Sequence, residues 1–310
     1  MTALDDPART AAVRPTRRRR AKPWNQRWAP YLFVAPNMLI FGTFVIYPAL
    51  NNFNISRYDS SNGRTFTPVG GRNYERLLAD EEFWTVARQT GIFATCFVVL
   101  STVCAIGLAM LLNQRIRALG FFRAVFFLPV VLSPVVIGLL WGWILDRRVG
   151  LLNNLLGAVG LPEPGWLVNG ALAMGAVVFV GVWMHLGFYT LIILAGLQGI
   201  DPAYYESAQL DGASGWQRFR EITLPLLAPT TMVVVILSLI AGFQAFDFIW
   251  TLTGGGPIGA TTLMVQFIYE RAFQSPIRYG LAAAGSVVLF CVVFALTLLN
   301  FLSGRRRESI

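Results

Sequence analysis

Apolar positions in this chain do not alternate with polar ones; they run on. Six stretches, 29–49, 91–112, 124–145, 171–196, 229–250 and 281–302, are each about twenty residues or more and almost free of charge. At roughly 1.5 Å per residue, each is long enough to cross a hydrocarbon core of about 30 Å. Where no water satisfies the backbone, apolar runs of this length form helices. Helices of a soluble bundle would show polar stripes, and these do not. The pattern therefore predicts an all-α, polytopic membrane protein with six transmembrane helices. Pro129, Ser133 and Pro134 predict a kink in the third span, since each proline removes an intrahelical hydrogen bond. The expected organisation is a basic tail over 1–28, a transmembrane domain over 29–303 and a second tail over 304–310.

Composition agrees. Of 310 residues, 55% are hydrophobic and 13% charged, where soluble domains carry about 25% charged residues. Mean hydropathy is +0.57. The net charge of +9 raises the question of nucleic acid, and its distribution answers it. Six spans put both termini on one side. That side receives sixteen basic residues, including Arg17 to Arg20, Arg115, Arg117, Arg123, Arg218, Arg220 and Arg305 to Arg307; the other side receives nine. Basic loops stay cytoplasmic, so both termini are expected in the cytoplasm, and no nucleic-acid partner is called for. The basic start before an apolar run mimics a secretion signal, but the first span is too long and no small-x-small cleavage pattern follows it. Trp24 and Trp28 precede the first span, and Trp141 and Trp143 end the third; all four suit the headgroup interface. Cys96, Cys104 and Cys291 fall inside spans without metal-ligand spacing and are expected to be buried as small apolar residues.

The chain lacks the parts an enzyme or motor needs. It has no G-x-x-x-x-G-K-[ST] loop for phosphates, and His185 is its only histidine, which excludes paired-histidine metal sites. No G-x-S-x-G nucleophile elbow occurs. Work against a gradient needs a partner or a coupled ion.

One segment is more than a connector. Between the fourth and fifth spans, Asp201-Pro202 is a helix start, with Asp as cap and Pro at the first helical position. Gly212 is a left-handed stop. Ser214 caps a second short helix expected to run to Ile222, and Pro225 and Pro229 are expected to close it at the entry to the fifth span. The result is a helix-turn-helix over 201–228 on the cytoplasmic face, with Leu210, Trp216, Phe219 and Ile222 available for contact.

Here the residues resemble a known family. Glu206-Ser207-Ala208, then Gly212, then Ile222-Thr-Leu-Pro225 is similar to the EAA loop of ABC importer permeases, with Ser207 in place of the usual Ala. Asp211-Gly212-Ala213 and Phe219 match the carbohydrate-importer version. A second stretch, Phe246-Asp-Phe-Ile-Trp-Thr-Leu-Thr-Gly-Gly-Gly-Pro257 with Thr261-Thr262, Ile268-Tyr269, Ala272-Phe273 and Tyr279-Gly280, resembles the first-subunit type of sugar permease related to maltose and glycerol-phosphate importers. The resemblance implies a type I importer permease fold in the bacterial plasma membrane. It implies a second permease subunit, two ATPase subunits and an external solute-binding protein as partners. ATP and Mg would sit on the ATPase subunits, with no cofactor on this chain. Glu206, Ser207, Ala208, Asp211, Gly212, Ala213 and Phe219 would receive the ATPase-driven motion.

Polar groups within spans are expensive and face a cavity or a partner. The fourth span offers Trp183, His185 and Tyr189, and the fifth Gln244 and Asp247; aromatic faces with hydrogen-bonding groups suit a sugar. Packing between helices fits the same residues. The Gly254–Pro257 turn is expected outside, where contact with the binding protein and a plain loop both fit. The competing class is a self-sufficient secondary transporter or channel driven by an ion gradient. It calls for mid-membrane acids and an inverted repeat, against one off-centre acid and no obvious repeat here. The sequence does not choose among sugars, oligosaccharides, polyols and glycerophosphodiesters.

Overall fold

The structure, a computed structural model, describes residues 24–114 and 119–308, with side chains for 28–114, 120–121 and 124–302. Most of the expected basic tail, Arg115, Arg117 and the side chains of Arg123 and Arg305 to Arg307 lie outside the described residues. The chain divides into two compact units, residues 1–51 and 52–310. In chain order the helices are α1 (Trp24–Phe41), a π-turn (Gly42–Ile46), α2 (Tyr47–Ile55), α3 (Arg72–Ala79), α4 (Glu81–Leu112), α5 (Leu119–Val131), α6 (Pro134–Ile144) and α7 (Leu151–Ala158). Then come α8 (Gly170–Gln198), α9 (Pro202–Leu210), α10 (Gly215–Arg218), a second π-turn (Phe219–Thr223), α11 (Leu224–Phe243), α12 (Asp247–Leu252), α13 (Met264–Phe273) and α14 (Tyr279–Glu308). Two short strands, β1 (Tyr58–Asp59) and β2 (Thr67–Pro68), pair antiparallel with Tyr58 opposite Pro68.

Among the described residues, five helical segments are long and apolar enough to cross a membrane: Trp28–Ile55, Glu81–Leu112, Gly170–Gln198, Gly215–Phe243 and Tyr279–Leu302. The third expected span is not a single rod. Ala124–Val131 and Pro134–Ile144 meet at 110°. Pro134 disfavours helical geometry at the residue before it, and Ser133 is extended at φ −62°, ψ 133°. The expected kink is a full break, and the spans number six if the bent pair is taken as one.

Two other boundaries move. The expected fifth span, 229–250, stops at Phe243; residues 244–246 are non-helical, and α12 starts afresh at Asp247. Conversely, Pro225 and Pro229 do not separate the hairpin from the membrane. Helix runs from Gly215 to Phe243 through the π-turn, where Leu224 N–H donates to Phe219 O. A proline ring clashes with the carbonyl four residues back; the wider turn over 219–223 displaces that carbonyl, Glu221 O, and the helix survives. The first unit repeats the device, with the π-turn Gly42–Ile46 two residues before Pro48. At the C-terminus α14 continues to Glu308, so the expected tail from 304 begins as helix.

The core of the larger unit lies between α4 and α8, with α11 and α5 against them. Phe93 and Phe97 stack at 5.7 Å, and Val177, Tyr189, Ile193, Leu227 and Val234 complete a fully buried cluster. Cys96, Cys104 and Cys291 correct the sequence expectation: all three are exposed on the protein surface. In a membrane helix the outward face is apolar too, so hydrophobicity does not tell a lipid-facing position from a core one.

A second cluster sits at the end of the bundle opposite the 201–214 hairpin. It joins Leu77, Phe83, Val86, Met264, Phe267, Leu281 and Ala284. Asp80 caps α4 by accepting from Glu82 N–H at 2.9 Å, and two further acids in the first turn complement the helix dipole. Arg271 on α13 donates to Glu82 Oε2 at 2.6 Å and lies 3.6 Å from Asp80, with its guanidinium 4.7 Å above the Phe267 ring. These contacts fasten α13 to the start of α4. Arg271→Met is expected to lower stability by about 1 kcal/mol, the sum of a partly exposed ion pair and a cation–π contact. Detergent unfolding midpoints would check this, and the difference from wild type should shrink in high salt.

Candidate functional site: the hairpin and the intramembrane polar residues

The 201–214 hairpin is built as its sequence predicts. Asp201 accepts from Ala203 N–H at 2.9 Å, and Pro202 opens α9. At the other end Ala213 N–H donates to Ala208 O at 2.9 Å and Gly212 N–H to Gln209 O at 3.1 Å. This 6→1 and 5→2 pair is a Schellman stop, which needs a left-handed residue between; Gly212 supplies it at φ +77°. Ser214 then closes a capping box: Gln217 N–H donates to its hydroxyl at 3.3 Å, and Ser214 N–H donates to Gln217 Oε1 at 2.8 Å.

Two features escaped the sequence reading. The Ser-x-x-Gln spacing was legible as a capping box and only its first residue was used. The tie between Tyr205 and Thr223, hydroxyl to hydroxyl at 3.0 Å, had no local signal, because the partners are eighteen residues apart. Thr223 also donates to Arg218 O at 3.3 Å. The tie fixes α9 against the π-turn, so the hairpin is one body with the helix that enters the membrane.

The candidate coupling residues gather on this hairpin. Glu206, Ser207, Asp211 and Gly212 are exposed; Ala208, Ala213 and Phe219 are half-buried. Beside them stand the apolar side chains of Leu210, 89% exposed, Trp216, 67%, and Tyr204, 56%. Trp216 lies 5.4 Å from Phe219, ring to ring.

The five intramembrane candidates do not form one site. On α8, His185 donates through Nδ1 to Gly181 O at 3.0 Å, stacks on Tyr189 at 5.7 Å and meets Phe97 edge-on at 5.3 Å. Tyr189 is 1% exposed, sealed in the core, so within this chain it packs and presents nothing to a passing solute. Trp183 lies two residues away and faces elsewhere. It lines a groove of about 630 Å³ between α4 and α8 with Cys96, Cys104, Met174 and Phe179. There it packs on Trp141 at 5.5 Å, and Trp141 on Phe179 at 5.2 Å. Trp141 is therefore a packing residue and not the expected interfacial anchor, while Trp143 is 56% exposed. Gln244 and Asp247 are both exposed and flank the break between α11 and α12. Phe97 links the two regions, since its ring also lies against Gly242.

The Gly254–Pro257 turn is internally braced. Thr253 and Thr261 hydroxyls meet at 2.7 Å, Thr261 donates to Gly256 O at 2.8 Å, and Gln266 Nε2 donates to Gly254 O at 3.0 Å. Among the described residues, no group of three or more His, Cys, Asp or Glu side chains is placed to hold a metal ion.

Comparison with known proteins covers the same ground. Residues 101–308 match the family described as binding-protein-dependent transport system inner membrane component. The chain is 36% identical over 282 residues to the trehalose/maltose transport system permease protein MalF of Thermococcus litoralis, covering 90% of this chain and 94% of that one. It is 34% identical to the sn-glycerol-3-phosphate permease UgpA of Agrobacterium fabrum (88% and 93% covered) and 34% to the lactose permease LacF of Rhizobium radiobacter (90% and 94%). Its fold superposes with a TM-score of 0.79, at 24% identity, on a chain of a bacterial ABC transporter that imports the acidic polysaccharide alginate, covering 91% and 96%. With its family match over residues 101–308 and its permease relatives covered nearly end to end, this chain is a member of the binding-protein-dependent transport system inner membrane component family, the permease subunits of ABC importers.

Proposed function

We propose that this permease forms half of the membrane path of an importer for a sugar or sugar-like solute, and that the 201–214 hairpin receives ATP-driven motion from a partner ATPase. The observation that carries the proposal is mechanical. A hairpin stopped by Gly212, tied by Tyr205 to Thr223 and continuous with α11, transmits a push at its tip to the far side of the membrane. Glu206, Asp211 and the exposed Leu210 and Trp216 form the docking face. The partners are a second permease subunit, two ATPase subunits that hold ATP and Mg, and an external binding protein; this chain carries no catalytic residue and no cofactor. The hairpin face and both termini are cytoplasmic, in line with the sixteen-to-nine distribution of basic residues. The trehalose/maltose, lactose and glycerol-phosphate relatives support the solute class.

Of the intramembrane candidates, Gln244 and Asp247 contact the solute, because they stand exposed at a helix break; His185 sits one aromatic ring behind them. Trp183 and Tyr189 support the helices.

Trp216→Ala tests the docking role. A buried aromatic anchor typically contributes 2 kcal/mol or more at an interface, so binding of the ATPase should weaken about 30-fold. Co-purification of the ATPase with the permease from membranes measures it. Undiminished recovery, with uptake intact, would remove the hairpin from the coupling role.

A further inference from the structure

Four aromatic rings line up on the opposite side of the membrane from the hairpin. Phe246 in the helix break lies 5.7 Å from Trp250 on α12 and 5.2 Å from Tyr269 on α13. Trp250 and Tyr269 are 5.5 Å apart, and Tyr269 continues to Phe273 at 5.2 Å. The strip is not sealed into the core: the first three rings are half-buried and Phe273 is 66% exposed. Phe273 in turn lines a cavity of about 410 Å³ with Asn52, Phe66, Tyr279 and Ser286, within the volume range of small-molecule sites.

Among the described residues, the Trp250 indole N–H, the Tyr269 hydroxyl, the Gln244 amide and the Asp247 carboxylate make no hydrogen bond. Gln244 and Asp247 are exposed residues, and Trp250 and Tyr269 are half-buried. A lipid-facing patch would not carry a carboxylate, and a packed core would have paired these groups. Aromatic faces beside free donors and acceptors match one ligand chemistry. The C–H face of a pyranose ring covers apolar surface while its hydroxyls take hydrogen bonds. Asp247 at the helix break disfavours an anionic solute, and so does Glu270 beside Tyr269, which accepts from Gln266 Nε2 at 2.9 Å. Arg271, two residues along α13 from Tyr269, is engaged by Glu82 and Asp80.

We infer that the strip Phe246–Trp250–Tyr269–Phe273 is a binding track for neutral oligosaccharide rings, leading between the cavity at Phe273 and the helix break at Gln244 and Asp247. The inference rests on the proposed import of a sugar-like solute and narrows it to neutral sugars of two or more rings.

The test uses the full importer in its own cells, with Trp250→Ala, Tyr269→Ala and the ring-preserving Trp250→Phe and Tyr269→Phe. Probes are radiolabelled maltose, trehalose, lactose and maltotriose, with sn-glycerol-3-phosphate as the anion. At sub-saturating concentration the alanine variants should lose about tenfold or more of neutral-sugar uptake, the trisaccharide more than the disaccharides. The phenylalanine variants should stay within about threefold of wild type, with complex levels in the membrane equal throughout. Unchanged sugar uptake in the alanine variants overturns the track and leaves the sugar importer standing. Wild-type import of glycerol phosphate alone likewise overturns only the track. Import of none of the probes overturns both. Loss of complex assembly in the alanine variants identifies the strip as a protein contact and overturns the track.

Discussion

Replacing Gly212 with valine is expected to reduce solute uptake to a tenth or less, with the permease inserted in the membrane at its normal level. At φ +77° a β-branched residue meets its own backbone, at a cost of about 1–3 kcal/mol. Nothing else stands within 4 Å of the position a Cβ would take, so the whole effect comes from backbone conformation. That separates the cause cleanly. Asparagine tolerates the left-handed region, and Gly212→Asn should therefore retain most of the uptake. The strain is local to the turn: α9 and α10 each keep their own caps, and the spans do not depend on it. The expected failure is a mis-aimed docking face, with ATP hydrolysed and no solute moved. Uptake and ATPase rate measured together in membrane vesicles decide the matter, and normal uptake in the valine variant, at matched protein level, would refute the coupling role of the turn.

The second large effect is expected at Gly187, and it concerns stability. Here α5 crosses α8 so closely that a Cβ would run into the carbonyl oxygen of Phe126, with the Phe126 carbon at 2.9 Å and the Phe127 Cα at 3.0 Å. These are backbone atoms, which cannot swing aside as a side chain can. Small residues at such crossings are how membrane helices approach one another when lipid is as apolar as the protein. Gly187→Ala should cost about 1–3 kcal/mol, as overpacking of a tight interior does, and Gly187→Leu should prevent the crossing. Thermal midpoints of the detergent-solubilised protein should fall in that order. An alanine variant with the wild-type midpoint would show that α5 is free to move away from α8.

How far the sequence carried the fold depended on whether the signal was local. Membrane spans are local: length and apolarity suffice to find them, although the fifth, expected over 229–250, runs from Gly215 to Phe243. The hairpin is local too, because caps and stops act within a few residues. What did not show was how a proline resolves. Pro134 breaks a span outright, whereas Pro225 is absorbed by a π-turn; the same residue in similar apolar runs gives opposite outcomes. Whether the backbone breaks or widens is decided by packing, α6 lying against α12 in one case and the Tyr205–Thr223 tie holding the helix in the other. The fate of polar residues inside the spans was equally hidden. Tyr189 read as a path candidate and Trp141 as an interfacial anchor, yet Tyr189 is sealed in the core and Trp141 packs against it, and the Cys residues that read as core face outward. Hydropathy locates a membrane helix but carries no azimuth, since lipid and protein interior look alike to it.

The azimuth is where the π-turn over 219–223 has a consequence of its own. An α-helix advances about 100° per residue. One extra residue in a single turn therefore rotates everything before it, by roughly that angle, relative to everything after. The direction in which the hairpin leaves the membrane is set by this one wide turn, with no flexible joint involved. A permease of this plan thus carries its aim in the phase of a helix: the same hairpin on a straight α-helix would be equally rigid and would point somewhere else.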